Sequence, residues 1–275
     1  MRPQTSPENK PAPSTRENLA RTHWLATILL AAAFASAFAT FFFPQISNWL
    51  ETIFILLLTA ATLAALVRKL PLQNALLAAM VIALIGGGIS ALGASTGIPF
   101  GPFTFGLGFG PQIFTTLPWA MPLIWIIAIL NSRGMGKLIL RPWRKTKTYG
   151  FWLIAISALL VLLFDLALDP FASHLKHFWL WEPTNFPATW QGAPLVNFLS
   201  WAVVTLLILA FVTPALINKQ LSKRSARDFH PAILWLGTIL FFAIAAALQR
   251  SWPVAGLDAV IFVAAIIFAI RGARW

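Results

Sequence analysis

The chain has no cysteine. That removes a disulfide framework, a thiolate metal site and a cysteine nucleophile, and it leaves the redox compartment unreadable. Charge is scarce too: 10% of residues are charged and 59% are hydrophobic, whereas soluble domains are about a quarter charged and about half apolar. A membrane protein is the class that remains. Phosphate-cradling chemistry is missing as well. The stretch "GASTGIPFGPFTFGLGFGP", residues 93–111, is rich in glycine, but it lacks the Gly-Lys-Ser/Thr ending of a P-loop and the strand and helix that frame a dinucleotide fingerprint. No serine has a partner His and Asp at triad-like depth, so a hydrolase is unsupported. His174 and His177 form a His-x-x-His without a third ligand, so no metal site is expected. No pair of matching interrupted halves, as permeases show, is visible.

What is present is a series of long apolar runs. Hydropathy divides them into about eight spans near the ~20 residues a helix needs to cross a bilayer, at 24–43, 50–67, 73–95, 112–130, 150–169, 195–217, 231–249 and 252–270. An all-α, polytopic helical bundle is the expected fold. The net charge of +12 could suggest nucleic acid, but the cations lie between apolar runs instead of on one exposed face.

They also orient the chain. With a cytoplasmic N-terminus, the inside segments hold Arg2, Lys10, Arg16 and Arg21; Arg68 and Lys69; Arg133, Lys137, Arg141, Arg144, Lys145 and Lys147; Lys219, Lys223, Arg224 and Arg227; and Arg271 and Arg274, with only Lys176 and Arg250 left outside. That asymmetry is the positive-inside rule, and it places both termini in the cytoplasm and the protein in the cytoplasmic membrane. Residues 1–23, with Pro3, Pro7, Pro11 and Pro13, read as a disordered basic tail before one transmembrane domain, 24–275. "AAAFASAFA" offers a signal-cleavage alternative, but the apolar run continues through Phe43. His23 and His230 fall at cytoplasmic helix ends, where a cation meets the headgroups. Gly93 and Gly97 form a Gly-x-x-x-Gly that could pack helices.

Two outer segments are apolar. Residues 93–111 are expected to form either a tight cap or a re-entrant floor over a lipid-accessible cavity. The other is "FDLALDPFASHLKHFWLWEP", 164–183, with its continuation to Trp201. Trp179, Trp181 and Trp190 could each be interfacial belt residues. Asp165 and Asp169, at i and i+4, share a helix face just below the outer end, and Pro170 is expected to stop that helix. Asp258 lies deeper in the last helix, Asn197 opens the sixth, and Glu51 and Glu182 flank the outer surface, so five of eight acids are on this half. Intramembrane acids usually face a bundle interior and mark function. Two like charges one turn apart in low dielectric do not both ionise readily, so one carboxyl is expected to hold a proton and serve as a general acid.

The motifs "TGIPFGPFTF", "LGFGPQIFTTLPWAMPLIW", "DLALDP", "WLWEP" and "GAPLVNFLSW" resemble, in order and spacing, the integral-membrane carotenoid biosynthesis family, over roughly residues 75–215. The resemblance implies a carotenoid 1',2'-hydratase: water added to the terminal double bond of an acyclic ψ end group, giving a tertiary alcohol without a cofactor or metal. Asp165 would be the proton donor, Asp169 the water-activating base and Asn197 the residue that orients one of them. Trp179, Trp181, Trp201, Phe198, Phe100 and Phe103 would line the end-group pocket. The partners implied are a carotenoid or other long polyene, the bilayer and other carotenoid-pathway enzymes, with no nucleic acid. This chain departs from the family pattern at Ser90, where an acid is usual, at Phe103 and Phe105, where tyrosines are usual, and at Ser200, where glycine precedes the tryptophan. A non-catalytic polyene or lipid binder or a permease stays open, as does a magnesium-dependent prenyltransferase using the Asp-x-x-x-Asp.

Overall fold

The computed structural model describes residues 15–113, 116–183, 188–217 and 228–275. Arg2, Lys10, Lys219, Lys223, Arg224 and Arg227 lie outside the described residues, as does most of the expected tail. Among the described residues, eight helices are long and apolar enough to cross a membrane: α1 (Thr15–Phe42), α2 (Ser47–Val67), α3 (Leu72–Thr96), α4 (Ala120–Ile139), α5 (Tyr149–Pro170), α6 (Leu195–Val212), α7 (His230–Leu248) and α8 (Trp252–Ala273). The chain is a multi-pass membrane bundle.

Local signals set several ends. Pro231 and Pro253 sit in the first turns of α7 and α8, where a missing N–H costs nothing. Gly97 closes α3 in the left-handed conformation, φ 73°, which glycine adopts without a Cβ clash. The bundle is built around α4, whose most apolar window is 72% buried against 28% in α1 and α8, and which packs on α2, α3, α5, α7 and α8. Leu84, Phe151, Val203, Phe211 and Val260 stay exposed; on a soluble domain so many would be an aggregation surface, and here they face lipid.

Five expected spans match the observed helices to within three residues at each end, the sixth helix ends at Val212 instead of 217, and the first starts well before its expected residue 24. The fourth is displaced as a whole. Expected at 112–130, it forms at Ala120–Ile139, because hydropathy averaging counts Arg133 and Lys137 against a span, whereas the bundle interior accepts Arg133 at 6% exposure. Residues 112–118 instead make a hairpin of β2 (Gln112–Ile113) and β3 (Leu117–Pro118). Two further expectations are corrected. The first helix begins at Thr15, so residues 15–23 are helical. Pro170 ends the α-helical part of α5 but not the coil: it keeps helical angles and is followed by a π-helical turn, Phe171–Leu175, in which the Lys176 N–H reaches the Phe171 carbonyl at 3.1 Å. The wider turn absorbs the defect that a proline puts into the ladder.

The two apolar outer segments meet. Strand β1 (Phe103–Phe105) pairs antiparallel with β4 (Trp179–Trp181), setting Phe103 opposite Trp181 and Phe105 opposite Trp179. The Gly106 N–H extends the pairing to the Phe178 carbonyl at 2.8 Å, an approach so close that a Cβ at Gly106 would strike the His177 carbonyl. A short hairpin of β5 (Thr189–Trp190) and β6 (Ala193–Pro194) leads into α6. Residues 93–111 are therefore a cap, and the cap roofs a cavity.

Candidate active site

Beneath the β1–β4 roof, α5 presents both carboxylates, and Asp165 and Asp169 are each 0% exposed. The i, i+4 spacing puts them on one face, within electrostatic reach of each other. Their partners differ. Asp169 Oδ1 accepts the indole N–H of Trp179 at 2.7 Å and of Trp181 at 3.0 Å, and Trp181 also reaches Oδ2 at 3.2 Å. Both donors come from alternate positions of β4, which is why Trp-x-Trp can aim two indoles at one carboxyl. Asp165 Oδ2 accepts one bond, from Asn197 Nδ2 at 2.8 Å, and its Oδ1 is buried without a partner among the described residues. The Ser173 hydroxyl donates to the Asp169 backbone carbonyl at 2.8 Å, tying the π-turn to the helix below it.

A cavity of about 20 Å³ adjoins this pair, lined by Ser90, Phe100, Phe103, Phe105, Met121, Asp169, Trp179, Trp181, Asn197 and Trp201. That is room for about one water. Eight of the nine residues singled out from sequence thus fall in or directly behind one wall. Asp165 sits one turn below Asp169, behind Asn197, and not in the lining itself. Phe198 is the exception: it is buried on α6 and does not line the cavity. Trp190 is separate too, its indole N–H buried without a partner among the described residues. Two of the four departures noted in the sequence make hydrogen bonds here. Ser90 accepts the Trp125 indole N–H at 2.9 Å, and the Ser200 hydroxyl donates to the Pro99 carbonyl at 2.7 Å.

Sequence reading missed Trp125, which stacks on Trp201 with ring centroids 3.9 Å apart and backs the cavity wall. Nothing in an apolar helix distinguishes such a tryptophan from a packing residue. It also misplaced Glu51. Expected at the outer surface, Glu51 is 7% exposed and ion-paired with Lys176. That pairing commits the lysine a diphosphate site would have needed, just as the two indoles commit Asp169. His174 and His177 bond to Ser173, through its hydroxyl at 2.8 Å and its carbonyl at 3.0 Å. Among the described residues no three His, Cys, Asp or Glu side chains gather as a metal would require. Gly93 of the Gly-x-x-x-Gly lies against the Phe100 ring, inside the subunit.

The structure thus sets a buried carboxyl pair beneath aromatic strands, with Asp169 at the wall of one small cavity inside a membrane-spanning helical bundle. Residues 50–265 match the carotenoid biosynthesis protein family, and the chain belongs to that family. A curated relative, the bisanhydrobacterioruberin hydratase of Haloarcula japonica, is 32% identical over 129 residues, covering 47% of this chain and 41% of that protein. The chain therefore spans less than half of that relative's length in the match. No solved structure matches.

Proposed function

We propose that this protein hydrates the terminal double bond of an acyclic carotenoid end group, giving a tertiary alcohol. The observation that carries the reading is the unequal bonding of the carboxyl pair, with Asp169 at the wall of a water-sized cavity and Asp165 one turn behind it. Asp169 accepts two indole N–H groups, an environment suited to a carboxylate. Asp165, with one donor and an open oxygen, suits a neutral acid with its proton on Oδ1. The pair then works as a unit holding one proton. The acid gives that proton to the alkene carbon bearing one hydrogen, the π electrons forming the new C–H bond, and leaves a tertiary cation on the carbon bearing two methyls. The faces of Trp181, Trp201 and Phe103 suit that cation. Water attacks it, forming the C–O bond, and the second carboxylate takes the water's proton. The pair ends with one proton, as it began, and the net change is addition of water. The cavity seats the water but not the end group, so substrate entry requires the β1–β4 roof to lift.

Support comes from membership of the family, from the named activity of the Haloarcula relative, and from the fit between the site and this chemistry. A second reading, a polyene binder without catalysis, is favoured by Ser90, Phe103 and Phe105, which line the cavity where the family pattern places an acid and two phenols. Expression in bacteria that accumulate lycopene or γ-carotene separates the two. Hydration predicts pigments heavier by one water per modified end, falling by about 10²–10⁴ in Asp165→Asn and in Asp169→Asn. Unmodified pigment co-purifying with well-inserted wild-type protein would favour binding instead.

A further inference from the structure

At the opposite end of the bundle the chemistry inverts. Helix α4 carries Arg133 inside its span at 6% exposure, with no hydrogen bond or ion pair to any described residue. One turn on, Lys137 lies exposed within electrostatic reach of Arg133, Lys69 and Asp228. Tyr149, at the start of α5, is within reach of Arg133 and Arg144. Asp228 is the one acidic side chain described at this end, and it is already shared. Lys69 approaches it at 3.4 Å and Arg68 at 3.7 Å, and the His230 backbone N–H donates to it at 3.2 Å. The residues flanking Arg133 in sequence are satisfied: the Asn131 amide donates to Thr62 at 2.9 Å, and Ser132 accepts the Trp235 indole at 3.1 Å.

A guanidinium stays charged at all working pH values. Buried with no counter-charge among the described residues, it costs several kcal/mol, so an anion is wanted here. Lys137, exposed one turn further along α4, and Tyr149 at the start of α5 are the polar groups within electrostatic reach of that guanidinium. Arginine's planar fork matches two oxygens of a phosphate, and basic pockets between membrane helices at headgroup depth take lipid phosphates. We propose that Arg133 and Lys137, supported by Tyr149, form a binding site for a phosphate monoanion or diester, as carried by an anionic phospholipid headgroup. The positive-inside bias alone would leave cations exposed in the headgroup layer. It does not account for one sunk into the bundle.

The test uses the full-length protein in neutral detergent, with phosphatidylglycerol, phosphatidylcholine, inorganic phosphate and pyrophosphate as probes, read by native mass spectrometry and thermal midpoint. One phosphatidylglycerol should be retained per chain in preference to phosphatidylcholine. Its affinity should fall at least about tenfold in Arg133→Gln, with part of it kept in Arg133→Lys, and about fivefold in Lys137→Gln. Lys145→Gln, at an exposed position in the adjoining loop, should bind as the wild type does. Equal protection by free phosphate or pyrophosphate would keep the site but assign it to a soluble anion. Should Arg133→Gln not insert, Lys137→Gln carries the test. Indifference to all phosphate probes, or an equal loss in Lys145→Gln, would overturn the proposal.

Discussion

Helix α5 separates two cavities that could hardly differ more. On one face is the small space beside Asp169. On the other is a larger one, about 40 Å³, lined by Thr40, Glu51, Thr238 and a wall of Phe54, Phe164, Phe171, Phe178, Phe241 and Phe242 with Ile and Leu. In the larger cavity the carboxylate is ion-paired with Lys176, and the rings pack on one another, with Phe171 5.0 Å from Phe242 and 5.3 Å from Phe241. In the smaller one the polar groups face the space and are held by donors from a different loop. Size ranks the cavities one way and the convergence of polar groups the other, and a site is better sought where such groups meet an apolar wall than by volume alone.

The sharpest way to break that contrast is to damage each side in turn. Phe242→Ala removes a ring from the larger cavity. Water-soluble cores lose about 3–5 kcal/mol for such a change; in a bilayer, where leaving lipid brings little gain, only packing is lost and about 3 kcal/mol is expected. Thermal unfolding in detergent should show the loss while surviving protein keeps its product profile. Asp169→Asn should do the reverse, leaving the unfolding midpoint near that of the wild type and removing product. If Phe242→Ala changes which product forms, the larger cavity takes part in the chemistry and the division across α5 fails.

The same contrast explains what was legible beforehand. The acids at 165 and 169 stood out because carboxylates are costly in an apolar helix, and their helical spacing alone put them on one face. Eight spans were countable because bilayer thickness sets a length. Arg133 defeated the boundary of α4 for the complementary reason: hydropathy registers a charge but not the bundle that surrounds it. The β1–β4 roof was out of reach because it joins three-residue strands more than seventy positions apart in sequence, with no turn between them to announce a hairpin. Pro170 was read by its average behaviour, and the π-turn that accommodates it has no sequence signature. Trp179 and Trp181 were singled out, but whether they formed a lipid belt or a carboxylate grip depended on that unseen roof.

The roof offers a subtler test of how the reactive side is held. Trp181→Phe keeps a ring opposite Phe103, 5.4 Å away in the wild type, and deletes one N–H to Asp169. A charge-assisted hydrogen bond is worth about 1.5–3 kcal/mol, but Trp179 retains the shorter contact to the same oxygen, so turnover should fall about tenfold. Pigment ratios in the engineered strain would measure it. A fall as deep as that of Asp169→Asn would mean that the two indoles act as one inseparable clamp.

The smallest effect belongs to Ser200, which stands at the joint between α6 and the cap. Its hydroxyl bridges to the Pro99 carbonyl at 2.7 Å, and neither residue lines the cavity. Glycine there would remove the bond and add backbone freedom to a helix interior. Together these cost about 1–2 kcal/mol, a shift of a few degrees in thermal midpoint for a chain of this length. Ser200→Ala, which loses only the bond, should fall between the two. If cap and bundle are separately stable, product formation will follow the midpoint and nothing more. If the bond governs how readily the β1–β4 roof lifts, Ser200→Gly will instead turn over faster below its unfolding temperature, and the cap will have to be counted with the reactive cavity, not with the scaffold.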